Sequence, residues 1–495
     1  MTGEARIVFC LLACGLGAVI MQELAVWRSA VGYARPRETS RGRLAGQAAA
    51  MLVGMQCACL FMLITARPYM ATVLPLSLLA LLLVVNRVKE NVLREPLVIA
   101  DAWLLPQVFL YPEMYIPFMP MKGIVAGGLV IVLVLAGLTY AEPAVPLLRG
   151  APGAALCAAG AAIPALGVWL LRTGSLPLLS EQIVRLLPVS HDAGHDAGRI
   201  GPLAAALVHP VAAGLLEADP PDFMQALTRP SAARFPDELE AVLHTIEGLP
   251  PTSRPHVLLI QAESFCDMRE HGTDEQRDAL KGFFPGWDAL RLRGGTLPTP
   301  EGAYGAYTMR TEFSMLTGLS GESLGVFSFN PYLLAARKPV WSIARHLSGL
   351  GYTSLCLHPY YQGFFCRDKV MRNLGFDRFL GLEDLRGLPL FGPYVSDRAL
   401  GERLLAELEH AEKPVFCFAI TMEAHGPWRS GRLTEEEIEA CLGCLDKKLF
   451  SQEQILYLCH AKHMDQLFAM LANDLTSPNK PVILAYGDHL PSCIA

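Results

Sequence analysis

Two hydrophobic rhythms divide this chain. In the first third, apolar residues run on without a polar face at Ile7 to Trp27, Ala45 to Ala66, Met70 to Val85, Ile124 to Tyr140 and Ala151 to Leu171. Each run comes near the ~20 residues that a helix needs to cross a bilayer, so the pattern predicts a polytopic membrane domain. No small-residue cleavage site follows the first run and further spans do, so it is expected to be a retained helix and not a signal peptide. A sixth stretch, Pro96 to Pro120, is broken by Asp101, Pro106, Pro112 and Glu113 and reads as a further span or a re-entrant segment. From Arg254 onward the rhythm changes. Strand-length runs alternate with helical patterns such as Trp341 to Leu350, Ser396 to His410 and Gln454 to Leu475, which predicts an α/β domain with a mostly parallel sheet and helices on both faces. The boundaries read as 1–173 for five or six membrane helices, 174–253 for a linker with juxtamembrane helices, and 254–495 for the α/β domain. Within the linker, the tandem His-Asp-Ala-Gly at His191 to Gly198 is expected to be loop.

Composition and charge sharpen this division. The chain is 52% hydrophobic, with a mean hydropathy of +0.33, too apolar for one soluble domain of this length. Its net charge of −6, with no basic stripe in the polar part, excludes a nucleic-acid partner. Arg28, Arg35, Arg37, Arg41 and Arg43 mark one loop as cytoplasmic, and Arg87, Lys89 and Arg94 another. Six spans with an outside N-terminus satisfy both loops; five with an inside N-terminus violate the rule at the first. Either arrangement leaves everything after Leu171 outside the cell's inner membrane. Of the 13 cysteines, Cys441 and Cys444 form the one tight pair. With Cys459, His460 and His463 they read as a zinc site, a disulfide or neither, on a stretch from Glu435 to Leu475 that looks helical.

The chemistry gathers where strands end. Val257 to Ile260 runs into Glu263, Tyr352 to Leu357 into His358, Val415 to Thr421 into Glu423 and His425, and Pro481 to Tyr486 into Gly487-Asp488-His489. In open α/β sheets the carboxyl ends of the strands face the ligand crevice. Glu263, Asp488 and His489 offer two carboxylates and an imidazole, a set suited to Mn2+, Mg2+ or Zn2+ with a position left for a threonine oxygen. Met309, Phe313, Leu316 and Leu319 fall at near-helical spacing, so a helix starts at about Thr308 behind a Gly/Tyr loop. A hydroxyl there is either an ordinary N-cap or a nucleophile held at the positive end of a helix dipole beside a metal.

Together these pieces resemble a known family. Ala-Glu263-Ser, Tyr-Thr308-x-x-Thr-Glu312, the His358-x6-Phe365-x-Arg367-Asp368 spacing, Glu-Ala-His425-Gly-Pro and Gly-Asp488-His489 are similar to the lipoteichoic acid synthase branch of the alkaline phosphatase/sulfatase superfamily, as is the loop from Lys89 to Leu97 followed by Ala100-Asp101. The resemblance implies a multi-pass inner-membrane phosphoglycerol transferase with an extracytoplasmic catalytic domain. The donor it implies is phosphatidylglycerol, the acceptor an envelope glycan or polyglycerolphosphate, and the released product diacylglycerol. It makes Thr308 the catalytic nucleophile and a metal ligand. Glu263, Asp488 and His489 complete a single site, Mn2+ first among the candidate ions. His358, Phe365, Arg367 and His425 hold the glycerol phosphate, with His425 as general acid and Arg367 as a bidentate clamp. Two departures stand out: Phe365 occupies a place the family often fills with Trp, and the sequence stops six residues after His489, where family members usually continue. Three rival readings follow: a sulfatase, for which the required Cys/Ser-x-Pro-x-Arg context is missing at Thr308; a phosphoethanolamine transferase; and an inactive scaffold that only binds glycan or lipid.

Overall fold

The computed structural model describes residues 1–29, 40–218, 227–228, 233–299, 304, 307–443, 445–473 and 481–494. The chain divides into two compact units, Met1–Met224 with Leu324–Phe329, and Gln225–Ser323 with Asn330–Ala495.

The first unit contains five helices long and apolar enough to span a membrane: Gly3–Trp27, Ser40–Thr65, Pro68–Leu93, Met121–Ala141 and Ala151–Arg172. Small residues let them approach closely. A Cβ added at Gly54 would lie 2.2 Å from the Cys14 carbonyl oxygen, so the first two helices touch backbone to backbone, the packing that apolar solvents favour. Cys10, Cys14 and Cys157 are buried in that contact as small hydrophobes. The sixth apolar stretch is not a sixth such helix: its prolines break it into 3-10 turns and one six-residue helix, Leu105–Leu110. Its start is pinned where the Lys89 ammonium meets Asp101 at 2.7 Å and the Asn86 side chain accepts from the Leu97 N–H.

The tandem repeat is not a loop. Asp192 caps the helix Ala193–Ile200 by accepting from the His195 N–H, and Asp196, fully buried, receives the Ser190 N–H at 2.9 Å and His209 Nε2 at 3.0 Å. Polarity read as solvent exposure was instead an N-cap and an internal ion-pair partner.

The second unit is built on a five-stranded parallel sheet. In chain order the strands are β1 Val257–Ala262, β2 Thr353–Leu357, β3 Arg378–Leu380, β4 Leu390–Phe391, β5 Tyr394–Val395, β6 Val415–Ile420 and β7 Val482–Gly487. The sheet order is β3-β2-β6-β1-β7, with β4 and β5 forming a separate hairpin. β1 and β6 are buried along their whole length, which explains their unbroken apolar runs: helices cover both faces and no polar side remains. On one face, Phe265, Phe284, Trp287 and Phe468 pack edge to face, closing the core under the helix Gln452–Asn473.

Candidate metal and phosphate site

Register brings the first ligands together. Ala262 pairs with Gly487, so the next residues, Glu263 and Asp488, leave the sheet side by side. Only glycine fits at 487, because a Cβ there would stand 1.8 Å from the Phe265 carbonyl oxygen. Ser264 then turns through the left-handed region at φ 53°, its N–H donating to Asp488 Oδ1 at 2.7 Å and its hydroxyl to Glu263 Oε1 at 2.8 Å.

The ligand atoms of Glu263, Asp488 and His489 lie within 4.8 Å of one another, all buried, and among the described residues no other group of three converges so. His489 Nδ1 faces the Leu490 carbonyl at 3.3 Å, which turns Nε2 towards Glu263 Oε1 at 3.6 Å and Asp488 Oδ2 at 3.5 Å. Asp488 Oδ2 is buried with no hydrogen-bond partner. Burial, then the Glu263 charge, pushes the Asp488 carboxyl up to about 7. Burial opposes ionisation of Glu263 too, but the His489 hydrogen bond and the charges of His425 and His489 bring it down to about 2. Against burial, the Asp488 charge and the Glu263 hydrogen bond raise His489 to about 9. Two buried acids, an orphaned oxygen and an inward imidazole nitrogen that can give up its proton fit a divalent cation.

Thr308 opens the helix Thr308–Thr317, but it is not the cap. That position belongs to Tyr307, held in the left-handed region at φ 64° without a side-chain cap bond. The Thr308 side chain instead acts on the Asp488 carboxylate, lowering its pKa slightly, while the Thr311 hydroxyl donates to the Asp488 carbonyl oxygen at 2.9 Å and locks the helix to the strand end. The N-cap alternative for Thr308 is thereby corrected.

Of the other expected residues, His358 and His425 feel the Glu263 charge, while Arg367 is tied to Glu312 on the helix that Thr308 opens. Arg367 is buried and held by Glu312: Nε donates to Oε2 at 3.0 Å and Nη2 to Oε1, with Tyr332 and Gln261 also donating to Glu312. Only Nη1 has no partner, so Arg367 offers one nitrogen to a phosphate and not a bidentate clamp. Phe365 and Cys366, both at positive φ, turn the chain so that the Arg367 guanidinium stands over the Phe365 ring at 5.2 Å. Burial and the Arg367 charge hold His358 neutral, well below the usual imidazole range, with Nδ1 3.4 Å from the Ile420 carbonyl. His425 also falls below its ordinary value, through burial, and its Nδ1 faces the Gly426 carbonyl at 2.8 Å. With Nδ1 towards that carbonyl, Nε2 is the ring nitrogen left for proton transfer.

Glu423, though at a strand end, does not join this group. Its oxygens are taken by His460 Nδ1 and His463 Nδ1, each at 3.1 Å, and by the Asp397 N–H at 2.8 Å. The role of Glu312 was missing from the sequence reading. A carboxylate on the buried face of a helix that starts at a nucleophile was the available signal. The left-handed residues Ser264, Tyr307, Phe365 and Cys366 had no signal, since none is glycine; such strain collects where a site dictates side-chain aim.

A parallel α/β domain whose strand ends carry two acids, an imidazole and a hydroxyl defines an alkaline-phosphatase-like protein, and residues 255–494 match the Sulfatase family model. The domain is therefore similar to the sulfatase family, and the same chain carries helices long and apolar enough to cross a membrane. The capsular polysaccharide biosynthesis protein RkpI of Rhizobium meliloti (strain 1021) is 29% identical over 440 residues, covering 87% of this chain and 75% of that protein. Lipoteichoic acid synthase 1 of Bacillus subtilis (strain 168) is 25% identical over 146 residues, 28% of this chain and 21% of that one. The crystal structure of the lipoteichoic acid synthase LtaP from Listeria monocytogenes superposes with a TM-score of 0.39 at 18% identity, covering 50% of this chain and 61% of that chain.

Proposed function

We propose that the protein transfers phosphoglycerol from phosphatidylglycerol to an envelope polymer or glycan through a phosphothreonine at Thr308, releasing diacylglycerol. The observation that carries this is buried Thr308 at the first turn of a helix that Thr311 ties to the Asp488 backbone, beside the converging Glu263, Asp488 and His489. The names of two relatives, a lipoteichoic acid synthase and a capsular polysaccharide biosynthesis protein, support a polymer acceptor.

Glu263, Asp488 and His489 would hold the divalent metal, Mn2+ first, which would lower the hydroxyl's pKa and offset phosphate charge. Thr308 Oγ loses its proton and bonds to phosphorus as the bond to the diacylglycerol oxygen breaks, and that proton leaves on the diacylglycerol oxygen. Arg367 Nη1 donates to a phosphate oxygen. His358 and Phe365 bound the glycerol. In the second half, His425 Nε2 takes the acceptor hydroxyl's proton, the acceptor oxygen bonds to phosphorus, and Thr308 leaves reprotonated.

The reaction places residues 254–495 outside the inner membrane, with 174–253 as the connecting segment. Five spans then leave Arg28 to Arg43 on the outer side, against the positive-inside rule, so a reporter fusion after Ile494 tests this location directly.

Detergent-purified protein with Mn2+ should release diacylglycerol from labelled phosphatidylglycerol and not from phosphatidylethanolamine, and Thr308→Ala should abolish release while folding normally. Release from phosphatidylethanolamine alone would reassign the donor, and an active Thr308→Ala enzyme would end the mechanism.

A further inference from the structure

A second cluster of reactive side chains lies in the same unit, outside the site just described. Cys441 sits on the helix Glu435–Leu442, and Cys459 and His463 sit one turn apart on the helix Gln452–Asn473. Cys441 Sγ is 3.6 Å from His463 Nε2, and the Cys459 thiol, one turn before His463, is close enough to interact with Cys441 electrostatically. His463 Nδ1 faces buried Glu423 Oε1 at 3.1 Å, and the Phe391 ring packs on the imidazole with centroids 4.0 Å apart. Thiol, base and orienting carboxylate thus stand in line, the order that activates a nucleophile. The same line argues against a zinc chelate, because His463 turns different nitrogens to the carboxylate and the thiol. Cys444, the other half of the tight sequence pair, lies outside the described residues.

Accessibility separates the two thiols: Cys441 is partly exposed and Cys459 fully buried. We propose that Cys441 and Cys459 are a thiol–disulfide pair, in which Cys441 attacks an external disulfide and Cys459 resolves the product. The Cys441 thiolate bonds to one sulfur of a small-molecule or protein disulfide, whose other sulfur leaves as a thiolate. Cys459 then attacks Cys441 sulfur and expels the second thiolate. The protons from His463 and Cys459 go to the two leaving thiolates, so two protein thiols are oxidised as one external disulfide is reduced. The Cys459 thiol, followed by the His463 hydrogen bond, holds Cys441 down at about 5 against burial, which makes it the attacking partner. Closure would tie the helix Glu435–Leu442 to the helix Gln452–Asn473.

The test uses the purified full-length protein, reduced and then incubated with oxidised glutathione, followed by alkylation and non-reducing peptide mass spectrometry. The proposal expects a Cys441–Cys459 link in the wild type, a stable glutathione adduct at Cys441 in Cys459→Ser, and no adduct at Cys459 in Cys441→Ser. His463→Gln should slow adduct formation at Cys441 by about tenfold at pH 6, with unchanged metal content as the folding control. A wild type whose Cys441 stays fully alkylatable after oxidation would overturn it. So would a lasting Cys441 adduct without closure, or zinc released as the thiols are modified. None of these outcomes depends on phosphoglycerol transfer, so the two proposals fail separately.

Discussion

Two strand-end clusters of this domain use nearly the same residue types and do opposite things with them. Around Glu263, Asp488 and His489 the ligand atoms converge, and Asp488 Oδ2 is left without a partner. Around Glu423 each donor is answered from inside: His460 and His463 bond to one oxygen, the Asp397 N–H to the other, and Arg432 Nε donates to His460 Nε2 at 2.9 Å. The unpartnered oxygens there belong to Asp397, which burial and then the Glu423 charge push well above the usual carboxylate range, into a neutral acid. Acids and imidazoles at a strand end do not by themselves make a metal site. What marks one is an unmet bonding demand pointed at a common centre.

The sharpest way to break the comparison is to neutralise one carboxylate in each cluster. Asp488→Asn should remove bound metal and lower turnover by at least about a thousandfold, with little change in melting temperature. Glu423→Gln should do the reverse, keeping the metal while destabilising the fold by about 3 kcal/mol, because it leaves buried histidines with a weakened partner. Metal analysis beside calorimetry reads both. Metal loss in Glu423→Gln with Asp488→Asn still loaded would invert the assignment.

Next in size is Glu312→Gln. Glu312 touches no substrate in the proposed mechanism; it aims Arg367 and is itself held by Tyr332 and by Gln261, which accepts from the Tyr486 hydroxyl at 2.6 Å. Loosening that aim should lower kcat/KM by about a hundredfold through KM, with metal content unchanged. An effect confined to thermal stability would make the pair structural only.

How much of this was legible beforehand depended on whether a residue's partner was near in sequence or in space. The parallel sheet and its ends were readable because β1 and β6, buried on both faces, keep unbroken apolar runs. The convergence of Glu263 with Asp488 followed from strand ends alone. The five spans were readable from length and composition, while prolines decided the sixth stretch. By contrast, the Glu312–Arg367 pair joins residues 55 positions apart: the buried helix face marked Glu312, but not its partner. Asp196 looked like linker polarity until His209 was found against it.

A smaller effect is expected from pH. In the metal-free site Glu263 is already ionised, Asp488 titrates near 7 and His489 near 9. A cation must displace the His489 proton between pH 7 and 9 and both protons below 7. Apparent affinity should therefore rise by about tenfold per unit from pH 7 to 9 and more steeply below 7. Titration calorimetry in buffers of different ionisation enthalpy would count the released protons. A pH-independent affinity would mean that these side chains are not the ligands.

The smallest effect distinguishes the second cluster as a relay. With Cys441 near pKa 5 and His463 raised to about 10, the pair is a thiolate and an imidazolium across the neutral range. At pH 6 an ordinary thiol of pKa ~8.5 is only ~0.3% thiolate, so full ionisation favours Cys441 by about 300-fold. Its lower basicity takes back about 30-fold, leaving alkylation about tenfold faster than for a model thiol at pH 6. Near pH ~7 the order reverses, because about one-thirtieth of the model thiol is then ionised and its thiolate is the stronger nucleophile by that factor. Iodoacetamide rates on the wild type should thus be nearly flat from pH 6 to 9 and cross those of a model thiol. In Glu423→Gln, where His463 loses the carboxylate that helps keep it charged, the profile should steepen towards that of the model thiol. A wild-type rate that climbs tenfold per unit through this range would show Cys441 to be a protonated thiol and leave His463 as packing.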